Sequence, residues 1–122
     1  MRRVNSAFVP HAVFGDPQIA SVGLTEKEAI EKGLPLSVAS KEYGATAYGW
    51  AMEDSESFCK LIANAESRQL LGAHIIGPQA STLIQQLIQG MEFGQTVDEL
   101  ASDQFYIHPA LTELVENALL DL

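Results

Sequence analysis

The sequence predicts an α+β domain, with an antiparallel sheet of about four to five strands packed with helices and a helical C-terminal half. Three observations lead to this prediction. Two apolar runs, 57–63 and 70–76, are joined by a short polar stretch, as in a hairpin. From Pro78 onward the apolar residues recur with a period of 3.6 rather than two. The 122 residues and the 47% hydrophobic content suit a single domain, 1–122, with one core.

Three further strands are expected before the hairpin. Residues 8–13 and 19–22 are short extended stretches, and Asp16-Pro17 marks the turn between them. Residues 36–43 alternate well enough to form the next strand. The two hairpin runs are apolar on both faces, which predicts that the sheet is covered on both sides at this point.

A short surface helix is expected between the second and third strands. Thr25 and Glu28 have the spacing of a capping box, and Gly33 is placed to end the helix that follows. Residues 43–54 mix small and aromatic side chains with two glycines, and we expect a helical turn within them.

The helices of the second half are predicted from apolar stripes. The polar side of the first carries glutamines, which is typical of a surface covered by a partner and equally of an exposed glutamine-rich helix. Thr96 and Glu99 repeat the capping-box spacing and should open a short helix. The last helix should begin at Pro109, where a missing N–H is tolerated. The stripes are Ala80, Leu83, Ile84, Leu87, Ile88 and Met91, then Leu111, Leu114, Val115, Ala118, Leu119 and Leu122; the glutamines are Gln79, Gln85, Gln86 and Gln89.

The composition argues against several classes of function. Seven Lys and Arg residues against 16 Asp and Glu residues give a net charge of −9, which disfavours nucleic acid and anionic membrane surfaces as partners. No apolar run approaches the roughly 20 residues that span a bilayer, and the first residues lack the apolar core of a signal peptide. A single cysteine allows no internal disulfide, so a cytoplasmic location is expected.

One segment, 105–113, carries residues suited to acid–base chemistry. With Pro109 in the first helical position, His108 would be the N-cap and Glu113 would lie one turn beyond. Helical side chains lean toward the N-terminus, so the Glu113 carboxylate should reach the His108 imidazole. The carboxylate would fix the tautomer and favour a protonated ring, whereas the helix N-terminus acts in the opposite sense. On spacing alone, a capping or surface histidine is the commoner explanation.

Four blocks along nearly the whole chain resemble one family. They are VPHAVFGDPQIASVGLTEKEA, FCKLIANAESRQLLGAHIIGPQAS, MEFGQTVDELA and HPALTE, and their order and spacing match the C-terminal dimerisation domain of the pyridine nucleotide–disulfide oxidoreductases. This family includes dihydrolipoamide dehydrogenase, glutathione reductase and mercuric reductase. The segment YIHPALTELVENALLDL is most similar to the mycothione reductases. Enzymes like dihydrolipoamide dehydrogenase or mercuric reductase, and a free-standing dimerisation module without catalysis, are the alternatives.

The resemblance implies a role for individual residues. The chain would be the C-terminal part of a flavoenzyme that uses FAD and NAD(P)H to reduce a small-molecule disulfide. As a homodimer, one subunit would place His108 in the active site of the other as the acid–base, with Glu113 orienting it. The backbone at His108 and Pro109 would contact the partner's flavin, at a cis peptide bond. The chain has neither a GxGxxG nor a CxxxxC motif, so no cofactor is expected on it alone and it should be inactive by itself.

Other residues with reactive or large side chains are expected to be structural. Cys59 lies within a strand and should be a small core residue. His74 lies in a predicted strand and should be a satisfied structural histidine, and His11 has no carboxylate at ligand spacing. No metal-ligand pattern is present, so no metal site is expected. Trp50 and Tyr48 are expected to pack against the domain.

Overall fold

The computed structural model describes residue 3 and residues 6–122, and within them the predicted α+β fold is confirmed. The strands are β1 (His11–Val13), β2 (Ile19–Gly23), β3 (Leu36–Glu42), β4 (Phe58–Asn64) and β5 (Leu70–Ile76). The helices are α1 (Glu26–Glu31), α2 (Ala47–Ala51), α3 (Ala80–Glu92), α4 (Val97–Ser102) and α5 (Thr112–Leu120). Short 3₁₀ turns lie at Ser6–Phe8 and Tyr43–Ala45.

The sheet has the order β1-β2-β5-β4-β3, and every neighbouring pair is antiparallel. The predicted hairpin, β4 and β5, therefore forms its centre. β1 is shorter than the predicted strand over 8–13 and begins directly after Pro10, which has no N–H to give to a ladder. Asp16-Pro17 forms the turn to β2 and has a cis peptide bond.

One face of the sheet is fully covered and the other only in part. Cys59, Leu61, Ala73 and Ile75 share the main core with side chains of α3, α4 and α5. On the opposite face α1 is the nearest helix, where Glu26 pairs with Lys60 at 2.9 Å. The prediction that both faces of the hairpin are covered is therefore wrong for this face. One six-residue helix is too small to cover it, and the alternate residues of β4 and β5 there stay largely half-buried.

The predicted capping box at the start of α1 is present. Thr25 Oγ1 accepts the Glu28 N–H at 3.2 Å, and Glu28 Oε1 accepts the Thr25 N–H at 3.3 Å. Two hydrogen bonds to Glu28 Oε1, from the Thr25 hydroxyl at 2.9 Å and from the Thr25 N–H, lower the pKa of the Glu28 carboxyl. The helix ends at Gly33, whose φ of +68° is left-handed, as predicted. At α4 only half of the corresponding arrangement forms, with Thr96 Oγ1 accepting the Glu99 N–H at 3.2 Å.

The segment 43–54 contains the expected helical turns, but its aromatic side chains are not packed as predicted. The short helix α2 buries Gly49 so closely that a Cβ there would lie 1.9 Å from the carbonyl oxygen of Tyr43. Because α2 turns this glycine inward, its neighbours face outward. Trp50 is 77% exposed and Tyr48 is 41% exposed.

Helix α3 buries the predicted apolar stripe, with Ile88 partly buried at its margin. Its Gly90 lies against α4, where an added Cβ would come 2.7 Å from a methyl carbon of Leu100. The missing side chain therefore sets how closely α3 and α4 approach each other.

Helix α5 begins three residues later than predicted, at Thr112 rather than Pro109. The Glu113 N–H bonds to the Ala110 carbonyl at 3.2 Å and the Leu114 N–H to the Leu111 carbonyl at 3.0 Å. Each of these bonds spans three residues, so a tight turn precedes the regular helix. Leu111 is the N-cap, and the placement of His108 at that position was wrong. The apolar face of α5 is buried as predicted, with Leu122 partly buried.

No helix among residues 6–122 combines the length and the apolar character needed to cross a membrane. The expected lack of a signal peptide depends partly on residues 1, 2, 4 and 5, which lie outside the described residues.

Candidate functional site

His108 and Glu113 form a close pair on the surface, as their positions in the sequence predicted. The His108 Nδ1 atom lies 2.6 Å from Glu113 Oε1. The His108 side chain is 67% exposed, whereas that of Glu113 is 18% exposed. The ring is therefore open to a partner molecule, and the carboxylate is largely sheltered behind it.

The geometry of this pair determines which ring nitrogen is available. A carboxylate can only accept hydrogen bonds, so the proton of the neutral ring lies on Nδ1 and points at Glu113. Among the described residues nothing is hydrogen-bonded to the other nitrogen, Nε2. Nε2 is therefore the ring nitrogen that an outside group could reach.

Glu113 is fixed by its position at the start of α5. Its Oε1 atom also accepts the Ala110 N–H at 3.3 Å, and its own N–H bonds to the Ala110 carbonyl at 3.2 Å. The neighbouring Leu114 and Val115 are fully buried and hold this turn of the helix on the sheet. The carboxylate thus has a fixed position although His108 precedes the helix by four residues.

The segment that carries His108 is largely exposed. It connects α4 to α5, and its peptide bond between His108 and Pro109 is cis, as the family resemblance implied. Phe105 is fully exposed and Ile107 is 75% exposed, although both side chains are large and apolar. Exposed apolar side chains beside an exposed histidine indicate a surface that another molecule covers.

Tyr106 is the inward-facing residue of this segment, and sequence reasoning missed it. Its hydroxyl donates to the Leu100 carbonyl at 2.8 Å and accepts from Gln86 Nε2 at 2.5 Å and Gln104 Nε2 at 3.3 Å. Gln86 belongs to α3, far away in the sequence, so no local spacing could have indicated the contact. The only signal was the glutamine-rich side of α3.

The other candidate residues stay apart from this site. His74 has both ring nitrogens bonded, Nδ1 to Ser21 Oγ at 3.0 Å and Nε2 to the Leu24 carbonyl at 2.9 Å, so it is the satisfied histidine that was predicted. His11 is exposed on the edge strand β1. The described residues contain no cluster of three His, Cys, Asp or Glu side chains that could hold a metal ion.

Cys59 is fully buried in the core, as predicted. Burial raises the pKa of its thiol to about 12, which keeps it protonated and unreactive at neutral pH. The pKa of the buried Tyr43 hydroxyl is raised for the same reason. Neither group is suited to chemistry at the surface.

Comparison with protein families gives one match over most of the chain. Residues 9–119 match the family model described as the pyridine nucleotide-disulphide oxidoreductase dimerisation domain. Mycothione reductase of Mycobacterium tuberculosis is 62% identical over 115 residues, which are 94% of this chain and 25% of that protein. Dihydrolipoyl dehydrogenase of Haloferax volcanii is 40% identical over 119 residues, again 94% of this chain and 25% of that protein. The chain thus spans about a quarter of the length of these relatives.

Solved structures share the same fold. RclA of Escherichia coli, a flavoprotein disulfide reductase induced by HOCl, superposes with a TM-score of 0.85 at 27% identity, over 92% of this chain and 26% of that one. LpdA of Mycobacterium tuberculosis superposes with a TM-score of 0.88 at 22% identity, over 97% of this chain and 26% of that one, which bears on the fold alone.

Proposed function

The chain belongs to the pyridine nucleotide-disulphide oxidoreductases as their dimerisation domain, and from this premise we propose that it supplies His108 and Glu113 to the active site of a partner subunit. The observation that carries the proposal is the open Nε2 atom of His108, backed by Glu113 at 2.6 Å. A residue that serves another subunit must present its reacting atom on the outside of its own domain. The unit proposed is the single interface domain 1–122 of a longer homodimeric flavoenzyme in the cytoplasm.

The substrate we propose is a small-molecule disulfide of the kind that mycothione reductase reduces. The identity of 62% with that enzyme supports this choice over a dihydrolipoyl dehydrogenase, for which the corresponding identity is 40%. The exposed Phe105 and Ile107 support the homodimer, because a second subunit would remove their apolar surface from water.

This chain would contact the flavin of a partner subunit but would not itself enclose FAD or NAD(P)H. His108 and Pro109 are both exposed, and the proline nitrogen carries no hydrogen, so the flat ring of a partner's flavin could lie against this backbone. When bound, the flavin would pass electrons from NAD(P)H to a pair of cysteines in its own subunit. The glycines of this chain never have the GxGxxG spacing of a dinucleotide site.

The part played by this chain in disulfide reduction is proton transfer at Nε2. One thiol of a reduced cysteine pair would give its proton to Nε2, and the resulting thiolate would attack a sulfur of the substrate disulfide. The substrate S–S bond breaks, and the departing thiolate takes the proton back from Nε2. The thiol of the second cysteine then attacks the mixed disulfide between the first cysteine and the remaining half of the substrate. Its proton passes through Nε2 to that half, which leaves as a thiol while the cysteine disulfide closes. Throughout, Glu113 holds the Nδ1–H and stabilises the imidazolium.

The test is to replace His108 with Ala in the full-length flavoenzyme. Loss of a general acid–base should slow disulfide turnover by roughly 10²–10⁴-fold. Flavin content and dimerisation should stay at the parental level, because the side chain is exposed and makes no core contact.

The matched control is His11→Ala, which removes another exposed histidine. Its turnover should equal that of the parent. Equal turnover in both variants would contradict the role of His108, as would a His108→Ala protein that loses its flavin or its dimer.

A further inference from the structure

We propose that Tyr106 is a positioning residue for His108, acting through its hydroxyl, which attaches the active-site segment to α3 and α4. The inference rests on the proposed function of His108. It concerns how the imidazole is held in place and assigns Tyr106 no part in the chemistry itself.

The first support is the burial pattern of the segment. Between Ser102 and Pro109 every residue is exposed except Tyr106. Phe105 and Ile107, its two neighbours, have their side chains in solvent. Tyr106 therefore fastens this stretch of backbone to the domain, together with the Gln104 side chain, which donates to the Leu100 carbonyl at 2.9 Å.

The second support is that the hydroxyl of Tyr106 uses its full hydrogen-bonding capacity. A phenol has one proton to donate and two lone pairs to accept with. The proton goes to the Leu100 carbonyl at 2.8 Å, and the lone pairs accept from Gln86 at 2.5 Å and Gln104 at 3.3 Å. Partial burial raises the pKa of the hydroxyl, which keeps it neutral and able to donate.

The third support is the location of these partners. The Leu100 carbonyl belongs to the last turn of α4, where backbone carbonyls lack partners within the helix. Gln86 lies on α3, the helix that packs on β2 and β5. The hydroxyl thus joins the segment to two helices at a single point.

Tyr106 and Glu113 together hold the segment from both sides. Tyr106 fastens it two residues before His108, and Glu113 fastens the ring from α5 at 2.6 Å. Without the hydroxyl, Glu113 would still bind the ring, but the backbone before it would lose its attachment to α3 and keep only the Gln104 bond to the Leu100 carbonyl. A displacement of about 1 Å in a catalytic group can cost on the order of 10²-fold in rate.

The experiment removes the hydroxyl with Tyr106→Phe in the full-length flavoenzyme. Tyr48→Phe is the matched control, because Tyr48 is an exposed tyrosine whose hydroxyl makes no hydrogen bond among the described residues. Gln86→Met tests the same attachment from the α3 side and keeps the helix intact. Rates are measured per flavin-containing dimer, so that loss of folded protein is not mistaken for loss of rate.

We expect Tyr106→Phe to lower kcat for disulfide reduction by roughly 10- to 100-fold. The rate of flavin reduction by NAD(P)H and the KM for NAD(P)H should not change, because neither depends on this imidazole. The double variant Tyr106→Phe with Gln86→Met should be no slower than Tyr106→Phe alone, since both changes break the same contact. A purely structural effect would instead lower the flavin content and both half-reactions together.

The outcomes separate this inference from the proposed function. If His108→Ala is slow but Tyr106→Phe matches Tyr48→Phe, the positioning role is wrong and the role of His108 stands. If His108→Ala is as fast as the parent, the proposed function itself is wrong. Additive effects of Tyr106→Phe and Gln86→Met would also overturn the inference. If Tyr106→Phe fails to fold, Gln86→Met alone tests the inference. A kcat for disulfide reduction equal to that of the parent would then contradict the positioning role of Tyr106.

Discussion

The sheet around His74 and the segment around His108 use the same side chain in opposite ways. His74 lies in the sheet with both ring nitrogens bonded, to Ser21 and Leu24, whereas His108 lies in a loop with only Nδ1 bonded. A ring with both nitrogens occupied contributes to stability but cannot easily exchange a proton. A ring with one nitrogen free contributes little to stability and is available for chemistry. Bonding of the two nitrogens, more than burial alone, separates the two roles.

The largest loss of stability should come from a change in the core that supports the sheet in which His74 lies. In Leu87→Asp, a carboxylate would replace a fully buried side chain of α3 and find no partner in the core. We expect the free energy of unfolding to fall by more than about 4 kcal/mol, measured by urea denaturation.

The control for this prediction lies on the same helix. Gln85 is exposed, and Gln85→Asp should change the free energy of unfolding by less than about 0.5 kcal/mol. Similar stabilities for Leu87→Asp and the parent chain would contradict a core that extends from α3 to the sheet.

A smaller loss of stability is expected when His74 is replaced, and almost none when His108 is replaced. His74→Phe keeps a planar ring in the strand but removes both hydrogen bonds, and should lower the free energy of unfolding by about 1–3 kcal/mol. His108→Ala should lower it by less than about 0.5 kcal/mol, because the ring is mostly exposed.

Thermal unfolding of both variants measures this difference in stability. The turnover rate of the same variants in the full-length enzyme is the second measurement. His74→Phe should lose stability and keep its rate, whereas His108→Ala should do the reverse. If one variant lost both properties to the same extent, the two histidines would not have separate roles.

The smallest effect should appear where the sheet is joined to α4, the helix on which Tyr106 rests. Arg68, in the turn of the β4–β5 hairpin, forms a bidentate ion pair with Asp98. Its Nε donates to Asp98 Oδ2 at 3.0 Å and its Nη2 to Asp98 Oδ1 at 2.9 Å. Hydrogen bonding from Arg68 lowers the pKa of the Asp98 carboxyl. A lowered pKa in the folded state adds stability above the unfolded-state pKa of about 3.9, and this is lost as the pH falls through the folded-state value.

Asp98→Asn should therefore lower the Tm slightly at pH 7, and the difference from the parent should disappear as the pH falls through the lowered pKa of Asp98. Glu66→Gln removes an exposed charge from the same turn and should give no such pH dependence. A difference that persisted unchanged at low pH would mean that the ion pair is not its cause.

Features that depend on neighbours in the sequence could be predicted from it. The capping box of Thr25, the hairpin and the apolar stripe of α3 all follow from spacing, and all are present. The pairing of His108 with Glu113 was also predicted, although α5 begins at Thr112 and the route to the contact differs. Helix α5 begins three residues later than predicted, so its N-cap is Leu111 rather than His108, but the same two side chains are in contact.

Features set by tertiary packing could not be predicted in this way. The exposure of Trp50 follows from the close approach of Gly49 to Tyr43, which no pattern of polar and apolar residues encodes. The attachment of Tyr106 to Gln86 joins a loop to a helix across the fold. Both depend on where backbones come to lie after the core has formed.

The glycine at position 90 has a consequence that reaches beyond its own helix. The Leu100 side chain packs against Gly90 and the Leu100 carbonyl accepts the Tyr106 hydroxyl, so one residue links the spacing of α3 and α4 to the segment that carries His108. A methyl group added at Gly90 would come within 2.7 Å of a Leu100 methyl carbon, so Leu100 would have to shift beside the carbonyl that accepts the Tyr106 hydroxyl. A substitution at a glycine buried between two helices can thus disturb the proposed site without lying in it.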